Sequence, residues 1–509
     1  MTKKFDVIVV GGGHNGLVAA CYLAKAGKRV AVLEKNSELG GATASVYAFK
    51  GISAKLSRYS YLVALLPDQI IEDLNLDFKT LSRTVSSYTP IRDTGILINR
   101  VFDEPSRNSI TSFSGSAAEA DSWQRFYGRI AEFARKVAPT FLQPLPTEDE
   151  IRNLVGEELW NEFVVRPLSE TLENYFSDDV IKGIVLTDGL IGTFASATEK
   201  AANICFLYHL IGNGTGEWKV PEGGMGELVQ QLYSRALGFG VTLLTNAEVV
   251  GITETENGLY VKTKTEEFQS DILLAGCSPQ ELAKLVRGTP PKSLDGCQLK
   301  MNMVLTKLPR LKSGIDPEIA FAGTFHIDES YKQLEQAYTE AKSGLIPAVI
   351  PSEMYCHTLT DRSILGDDLA RAGAHTLTVF ALHTPASLFE SDHEATKSEI
   401  ASRVIAGLNQ YLIDPIESCI ALDKDGKLCI EVKSPLELEQ EIGLPRGNIF
   451  HGDLQFPWKT KNDQRKWGVE TNSPRIFIAG AGSVRGGGVS GIGGQNAAMA
   501  ALESFAKLK

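Results

Sequence analysis

This sequence of 509 residues lacks the cysteine and histidine spacings that build redox or metal centres. Its seven cysteines are odd in number and scattered, without a C-x-x-C or C-x₄-C pair. This spacing argues against a disulfide framework, a thiol redox couple and a cysteine zinc site. The eight histidines show no H-x-x-x-H or H-E-x-x-H spacing, so the sequence predicts no metal site.

Long apolar runs and an excess of basic charge are also missing. The longest uncharged stretches, 201–216 and 486–502, are interrupted by glycines, and no apolar signal-peptide segment follows Met1. We therefore expect a soluble cytoplasmic protein, with peripheral membrane contact left open. Fifty-one basic against 62 acidic residues give a net charge of −11, which argues against nucleic acid as a partner.

Glycine, in contrast, is abundant and unevenly placed. The 47 glycines make up about 9% of the chain, against an average near 7%. They cluster at 11–13, 40–41, 223–224 and 480–494. Because glycine lets backbone approach a ligand closely, clusters at both chain ends predict a binding site built from distant segments.

The N-terminal cluster has the pattern of a dinucleotide site. A β-branched apolar run, Asp6–Val10, predicts a buried parallel strand, and a helical pattern ending at Gly27 follows the glycines. Between them stands G-x-G-x-x-G, formed by Gly11, Gly13 and Gly16. These glycines permit the tight turn, the approach to a pyrophosphate and the packing of helix on strand, while the helix N-terminus offers unpaired N–H groups to the phosphates.

Glu34 completes this pattern. It ends a second predicted strand, Val30–Leu33, and stands 23 residues after Gly11, where a ribose-binding carboxylate belongs. A carboxylate there would repel a 2′-phosphate, which disfavours NADP. The segment from Glu34 to Gly40 and Gly41 resembles the E-x-x-x-x-x-G-G extension of glutathione-reductase-type and amine-oxidase-type flavoproteins, and the resemblance implies FAD.

Later segments indicate that the FAD domain is discontinuous. Buried strands and glycine loops recur at 241–252, 271–277 and 475–494, while the intervening segments contain amphipathic helices such as 121–138 and strands at 301–305 and 375–382. We predict an α/β fold: a Rossmann-like FAD-binding domain of the glutathione-reductase type, with an inserted α+β substrate domain. The FAD domain comprises residues 1–65, 215–290 and 465–509, and the substrate or cap domain comprises 66–214 and 291–464.

Across nearly its whole length the sequence resembles the phytoene-desaturase-like branch of the FAD-dependent amine-oxidase superfamily. It is similar to the pyridine nucleotide-disulphide oxidoreductase domain-containing protein 2 type and to carotenoid ketolases. The motifs that carry the resemblance lie at 57–62, 187–192, 221–228, 300–302, 447–453 and 480–496. With the glycine pattern, it predicts FAD contacts at Gly11, Gly13, His14, Asn15, Gly16, Glu34, Lys35, Gly40, Gly41, Ala42, Arg58, Val249, Gly276, Gly482, Ser483, Val489 and Ser490.

The resemblance implies hydride transfer from a substrate carbon to flavin N5, with oxygen or a quinone as electron acceptor. Lys300 resembles the lysine that amine oxidases hold near N5, and His451 and Asp453 are candidates for acid–base catalysis. We expect a small apolar, polyisoprenoid- or carotenoid-like substrate. No aromatic cage for a small amine is evident in the sequence.

Two alternatives remain open at this point. One is an amine or amino-acid oxidase of the same fold. The other is a non-enzymatic binding protein of the Rab GDP-dissociation inhibitor type, which shares the fold without flavin chemistry. The intact glycine set and Glu34 favour a flavin enzyme over the second alternative, and the sequence leaves the oligomeric state undetermined.

Overall fold

Two sheets of seven strands organise the chain, of which the computed structural model describes residues 3–507. Two short pairs, β3–β4 and β5–β8, lie outside these sheets. The strands are β1 (Lys3–Val10), β2 (Val30–Leu33), β3 (Ser45–Tyr47), β4 (Lys55–Ser57), β5 (Thr80–Leu81), β6 (Val85–Ile91), β7 (Thr94–Asn99), β8 (Val220–Pro221), β9 (Thr242–Leu244), β10 (Val249–Thr255), β11 (Gly258–Thr263), β12 (Glu267–Ala275), β13 (Leu299–Leu305), β14 (Thr324–Ile327), β15 (Ser352–Tyr355), β16 (His375–Ala381), β17 (Ile430–Lys433) and β18 (Ile476–Ile478).

Helices cover the first sheet and form a separate layer in the middle of the chain. The α-helices are α1 (His14–Lys25), α2 (Asp68–Leu74), α3 (Glu104–Ser114), α4 (Ala117–Val137), α5 (Glu148–Val155), α6 (Glu157–Trp160), α7 (Leu168–Tyr175), α8 (Asp179–Leu186), α9 (Lys200–Ile211), α10 (Gly226–Gly238), α11 (Pro279–Leu285), α12 (Pro317–Ala320), α13 (Tyr331–Lys342), α14 (Asp367–Arg371), α15 (His393–Asn409), α16 (Pro435–Ile442) and α17 (Ile492–Lys507). Within the described chain, none is long and apolar enough to cross a bilayer.

The first sheet has the order β10–β11–β12–β1–β2–β9, and β18 also pairs with β12. Strand β1 is parallel to β2 and β12, so that Val7 stands opposite Val30 and Ile272. The apolar runs of these strands are buried on both faces, as in parallel sheets covered by helices. Helices α1, α10 and α17 pack on one face of this sheet in a common core. The predicted Rossmann-like α/β fold is thereby confirmed.

The second sheet has the order β17–β13–β16–β15–β14–β6–β7 and is antiparallel except between β14 and β6. Its strands come from residues 85–99 and 299–433, within the segments predicted for the cap domain. Helices α3–α9 form an apolar layer with a core of aromatic and aliphatic side chains. The predicted domain boundaries stay a prediction, and residues 1, 2, 508 and 509 at their ends lie outside the described part of the chain.

Candidate cofactor and substrate site

The glycine turn after β1 places a helix N-terminus at the edge of the first sheet. Gly11 has a φ of +99°, which a side chain would strain, and α1 begins at His14. A Cβ on Gly16 would come within 2.3 Å of the Gly11 carbonyl oxygen, so only glycine lets α1 pack this closely on β1. A Cβ on Gly13 would meet no atom within 4 Å. The space beside Gly13 is therefore open, as a phosphate-binding turn requires.

Glu34 lies at the end of β2 and is 7% exposed. Its carboxylate accepts a hydrogen bond from the backbone N–H of Gly12 at 2.7 Å and another from that of Asn36 at 2.9 Å. These bonds fix the side chain beside the turn. Each carboxylate oxygen keeps a second lone pair, which can accept a hydrogen bond from a ribose hydroxyl.

The second glycine pair lies directly against the first. The N–H of Gly40 donates to the Gly12 carbonyl at 2.9 Å, and Gly13 pairs with Gly40 as an isolated parallel bridge. A Cβ on Gly41 would stand 3.4 Å from the Cα of Gly13. The E-x-x-x-x-x-G-G segment thus forms a second wall of the turn.

The C-terminal glycine loop approaches the same turn from the other side. The Nε2 atom of His14 lies 3.0 Å from the Gly488 carbonyl oxygen. Helices α1 and α17 touch where a Cβ on Gly494 would stand 2.1 Å from the Asn15 carbonyl oxygen. Residues almost 500 positions apart therefore border one space.

A cavity of about 620 Å³ extends from the glycine turn to the second sheet. This volume lies in the range of cofactor and ligand pockets. Thirteen predicted site residues line it: Gly11, Gly13, His14, Asn15, Gly16, Glu34, Lys35, Gly41, Ala42, Val249, Gly276, His451 and Val489. Seven do not line it: Gly40, Arg58, Lys300, Asp453, Gly482, Ser483 and Ser490.

Several polar atoms around the cavity are buried without a hydrogen-bond partner among residues 3–507. They include Asn15 Oδ1, Gln280 Oε1, Gln298 Nε2 and His451 Nδ1, all on lining residues. Buried polar atoms are normally paired, and each orphan costs free energy. A bound molecule with both donors and acceptors along its length would satisfy them. Together with the open space at Gly13, they fit a dinucleotide such as FAD.

His451 lines the cavity, and its backbone is held in a left-handed conformation with φ +60°. Its carbonyl accepts a hydrogen bond from Gln280 at 2.9 Å. Burial, and secondarily the nearby His14, lower the pKa of His451 to about 4. Burial also lowers the pKa of His14 to about 4. Both imidazoles are therefore neutral at pH 7.

Lys300 is only 2% exposed and lies on β13, the second strand in the order of the second sheet. Its Nζ donates to the carbonyl oxygens of Ser57 at 2.9 Å and Ser60 at 3.4 Å, and it lies 5.3 Å from the ring centroid of Phe380. Ser60 and Phe380 line the cavity, so Lys300 stands directly behind its wall. Burial lowers the pKa of Lys300 to about 7, and the charge of Glu431 opposes this shift.

Three other predictions are placed differently from what the sequence suggested. The Arg58 guanidinium forms an ion pair with Glu431, with Nη2 2.6 Å from Oε1, and does not reach into the cavity. Asp453 is exposed, so the structure does not bring it together with the buried His451. Ser490 has its hydroxyl beside the Ile492 N–H at 3.3 Å and supports the start of α17 from behind the wall.

Gly482 and Ser483 lie in the same supporting layer. A Cβ on Gly482 would come within 2.4 Å of Pro279, so glycine is required for packing rather than for ligand contact. The Ser483 hydroxyl is buried and has no hydrogen-bond partner in the described chain. Glycine-loop spacing alone could not distinguish these supporting positions from lining ones.

Aromatic side chains cluster at the end of the cavity near the second sheet, although no aromatic cage for a small amine is evident in the sequence. Tyr61, Trp218, Tyr355 and Phe380 all line the cavity. The rings of Tyr61 and Tyr355 have centroids 4.9 Å apart, and those of Tyr355 and Phe380 are 5.9 Å apart in an edge-on arrangement. These residues come from four separate segments of the sequence, so no local pattern could reveal the cluster.

A second cavity of about 390 Å³ adjoins the first. Trp218, Glu353 and Tyr355 line both cavities and mark the junction between them. Burial raises the pKa of Glu353 to about 8, helped by the charge of Glu329, and burial raises that of Asp188 to about 6. This second chamber is thus lined by buried ionisable groups as well as by apolar side chains.

The first sheet and its glycine turn define a Rossmann-like α/β protein with a dinucleotide-type turn beside a large cavity. A family model described as an NAD(P)-binding Rossmann-like domain matches residues 9–64. "Uncharacterized protein Rv0897c" of Mycobacterium tuberculosis is 42% identical over 99% of this chain and 98% of its own length. The chain belongs to the family of that protein.

Two less similar relatives are each 28% identical to this chain. "Pyridine nucleotide-disulfide oxidoreductase domain-containing protein 2" of Rattus norvegicus is 28% identical over 98% of this chain and 93% of its own length. "Carotenoid 3,4-desaturase" of Haloarcula japonica is 28% identical over 51% of this chain and 52% of its own length. The predicted relationship to desaturase-like oxidoreductases is thereby confirmed.

Solved structures agree on the fold. A putrescine oxidase triple mutant aligns over 100% of both chains with a TM-score of 0.60 at 16% identity. A Rab GDI from Plasmodium falciparum covers 99% of this chain and 98% of its own, with a TM-score of 0.50 at 12% identity. At these identities the likeness describes the fold alone and does not separate enzymes from binding proteins.

Proposed function

We propose that the chain binds FAD in the larger cavity and oxidises a substrate carbon held at the junction of the two cavities. The observation that carries this proposal is one continuous space that runs from the open Gly13 turn to the cap domain and is bordered by orphaned polar atoms. The N-terminus of α1 would hold the diphosphate, and Glu34 would hold the ribose. FAD, when bound, accepts a hydride from a substrate carbon.

The described residues would orient the substrate and control its proton. Tyr61, Tyr355 and Phe380 provide apolar surfaces that exclude water at the junction. Lys300, behind this wall, places a titrating cation near the reacting centre. No Ser–His–Asp-type triad is needed, because hydride transfer requires geometry more than a nucleophile. Oxygen or a quinone is the electron acceptor in this proposal.

For the substrate we propose a molecule with a large apolar part. The support is the apolar and aromatic lining and the homology to a protein named for carotenoid desaturation. An amine substrate is the second candidate, favoured by the aromatic cluster that closes the cap end of the cavity. A non-enzymatic role like that of Rab GDI has less support, because it needs neither the open Gly13 turn nor Glu34.

The direct test measures the flavin absorbance of the purified protein and its bleaching by substrate. We expect yellow protein with the flavin absorbance bands, which bleach under anaerobic conditions when a substrate is added. Isoprenoids and amines should be screened in parallel, with peroxide release measured in air. Colourless protein that does not take up FAD on reconstitution would exclude the proposal.

Glu34→Gln should weaken FAD binding about tenfold. The amide keeps the size of the side chain but turns an N–H donor toward one of two backbone N–H groups, and it loses the charge-assisted bond to the ribose. Equilibrium dialysis of the apoprotein with FAD measures the change. Glu38→Gln, an exposed position on the following loop, is the control. Equal affinity of the wild type and Glu34→Gln would remove Glu34 from the site.

Lys300→Met should slow anaerobic flavin reduction and remove its pH dependence near neutrality. Burial holds the pKa of Lys300 near 7, so the wild-type rate should change across this pH range as the ammonium loses its proton. Methionine fills the same volume without charge. Stopped-flow bleaching between pH 6 and pH 9 measures this. An unchanged pH profile in Lys300→Met would assign the lysine a purely structural role.

A further inference from the structure

Arg83 is a buried guanidinium on the wall of the second cavity, in the segment between β5 and β6. It is 8% exposed. Its Nε donates to the Trp218 carbonyl at 3.2 Å and its Nη1 to the Thr324 hydroxyl at 3.1 Å. The other N–H groups of the fork have no acceptor among residues 3–507. No described carboxylate lies within 4.0 Å of Arg83.

An arginine in this state is unusual because its charge is costly to bury alone. Buried cations are normally paired, and the penalty for an unpaired one amounts to several kcal/mol. The cost falls when a ligand supplies the missing anion. Two parallel N–H donors along one edge of the planar guanidinium match the two oxygens of a carboxylate.

The neighbouring acids do not fill this role. Glu217 Oε1 lies 3.9 Å from Arg100 Nε, and both residues line the cavity. Asp188 receives a hydrogen bond from the side chain of Trp218, and burial keeps the pKa of Glu353 above neutrality. At pH 7 the inner wall therefore presents Arg83, which has no carboxylate within 4.0 Å, together with a protonated Glu353 and an ionised but more distant Asp188. The charge of Arg83 would attract an anionic group and would repel an ammonium group.

The rest of the chamber combines apolar and polar side chains. Asn99, Arg100 and Thr187 are among the polar ones, and its apolar lining includes Ile98, Phe102, Trp123, Tyr127, Ile130 and Ile184. Arg83 itself bonds to Trp218 and lies 5.9 Å from the ring centroid of Tyr355, two of the residues at the junction. The anion-binding end is therefore next to the junction, and the apolar surface extends away from it.

From this arrangement we propose that the second cavity is the substrate chamber and that Arg83 binds a carboxylate on the substrate. The substrate class is then an apolar carboxylic acid rather than a pure hydrocarbon or an amine. This inference rests on the proposed function, since it assigns the carbons next to the carboxylate to the junction with the flavin cavity. Arg83 is in this view a positioning residue that sets specificity.

The test compares four probes on flavin-loaded protein, three with the same phenylpropyl skeleton and one inorganic anion. The probes are 3-phenylpropanoate, 3-phenylpropanamide, 3-phenylpropylamine and inorganic phosphate. Binding is measured by calorimetry and by the shift of the flavin absorbance bands. We expect the carboxylate to bind at least tenfold more tightly than each of the other three.

Arg83→Met should lose this preference, with at least a tenfold weaker affinity for the carboxylate. Arg125→Met, an exposed arginine on α4 that does not line the cavity, is the matched control and should keep it. Ala131→Phe should block the carboxylate by filling part of the chamber from α4, with Arg83 itself unchanged. This variant keeps the test open if Arg83→Met does not fold.

The outcomes separate the two proposals. Protein that lacks flavin and cannot be reconstituted overturns the proposed function. Yellow protein that binds none of the probes, or that prefers the amine, the amide or phosphate, overturns the carboxylate inference alone. Unchanged carboxylate affinity in Ala131→Phe would place the acid outside this cavity and would also overturn it.

Discussion

Gly13→Ala is expected to fold like the wild type and yet to be purified without flavin. Gly13 has φ −69° and ψ 168°, which alanine adopts without strain, and its Cβ would meet no atom within 4 Å. In this proposal the open space is filled by the diphosphate, so the methyl group would collide only with the ligand. FAD affinity should fall at least 100-fold, while the free energy of unfolding of the apoprotein changes by less than about 1 kcal/mol.

Gly16→Ala provides the matched contrast, three residues further along. Its Cβ would stand 2.3 Å from the Gly11 carbonyl oxygen and 3.2 Å from the Val9 side chain. Helix α1 would have to move away from β1, which should lower the free energy of unfolding by about 2 kcal/mol or more. Denaturant unfolding and flavin absorbance measure both effects on each variant. Full flavin occupancy in Gly13→Ala would show that no phosphate lies beside this turn.

The cofactor cavity could be predicted well because its signals are local. The G-x-G-x-x-G turn and Glu34 need only a strand, a helix and a second strand in succession, and each element was predictable from short-range hydrophobic pattern. The structure extends these elements little beyond their predicted bounds: β1 begins at Lys3 rather than Asp6, and α1 ends at Lys25. The buried parallel sheet follows from runs such as Val30–Leu33.

The substrate chamber could not be predicted, because its residues gain meaning only through tertiary contacts. Arg83 and Glu353 are 270 positions apart and belong to different parts of the cap domain. No sequence pattern near Arg83 indicates that its guanidinium is buried without a neighbouring anion. The same limitation applies to Asp453. Its motif places it two residues from the buried His451, but its side chain is exposed to solvent.

The buried acid at the junction leads to the remaining prediction, a change of stability with pH. Glu353 is 2% exposed and stands opposite His326 across β14 and β15. Its other ionisable neighbours are Glu329, on the turn after β14, Asp188 and the Arg83 guanidinium. Desolvation, and secondarily the charge of Glu329, raise the pKa of Glu353 from its usual 4.5 to about 8.

Glu353→Gln should therefore be more stable than the wild type in alkali and similar to it in acid. Between pH 4.5 and 8 the folded wild type keeps a proton that the unfolded chain has lost, so its stability falls as pH rises through this window. Glutamine fills the same space, does not titrate and removes this loss, which amounts to at most about 5 kcal/mol above pH 8. Urea unfolding at pH 5 and pH 9 measures the difference, with the exposed Glu318→Gln as control. Equal slopes of stability against pH in wild type and Glu353→Gln would mean that Glu353 is ionised in the folded chain, and the chamber would then favour a cationic group over the carboxylate inferred above.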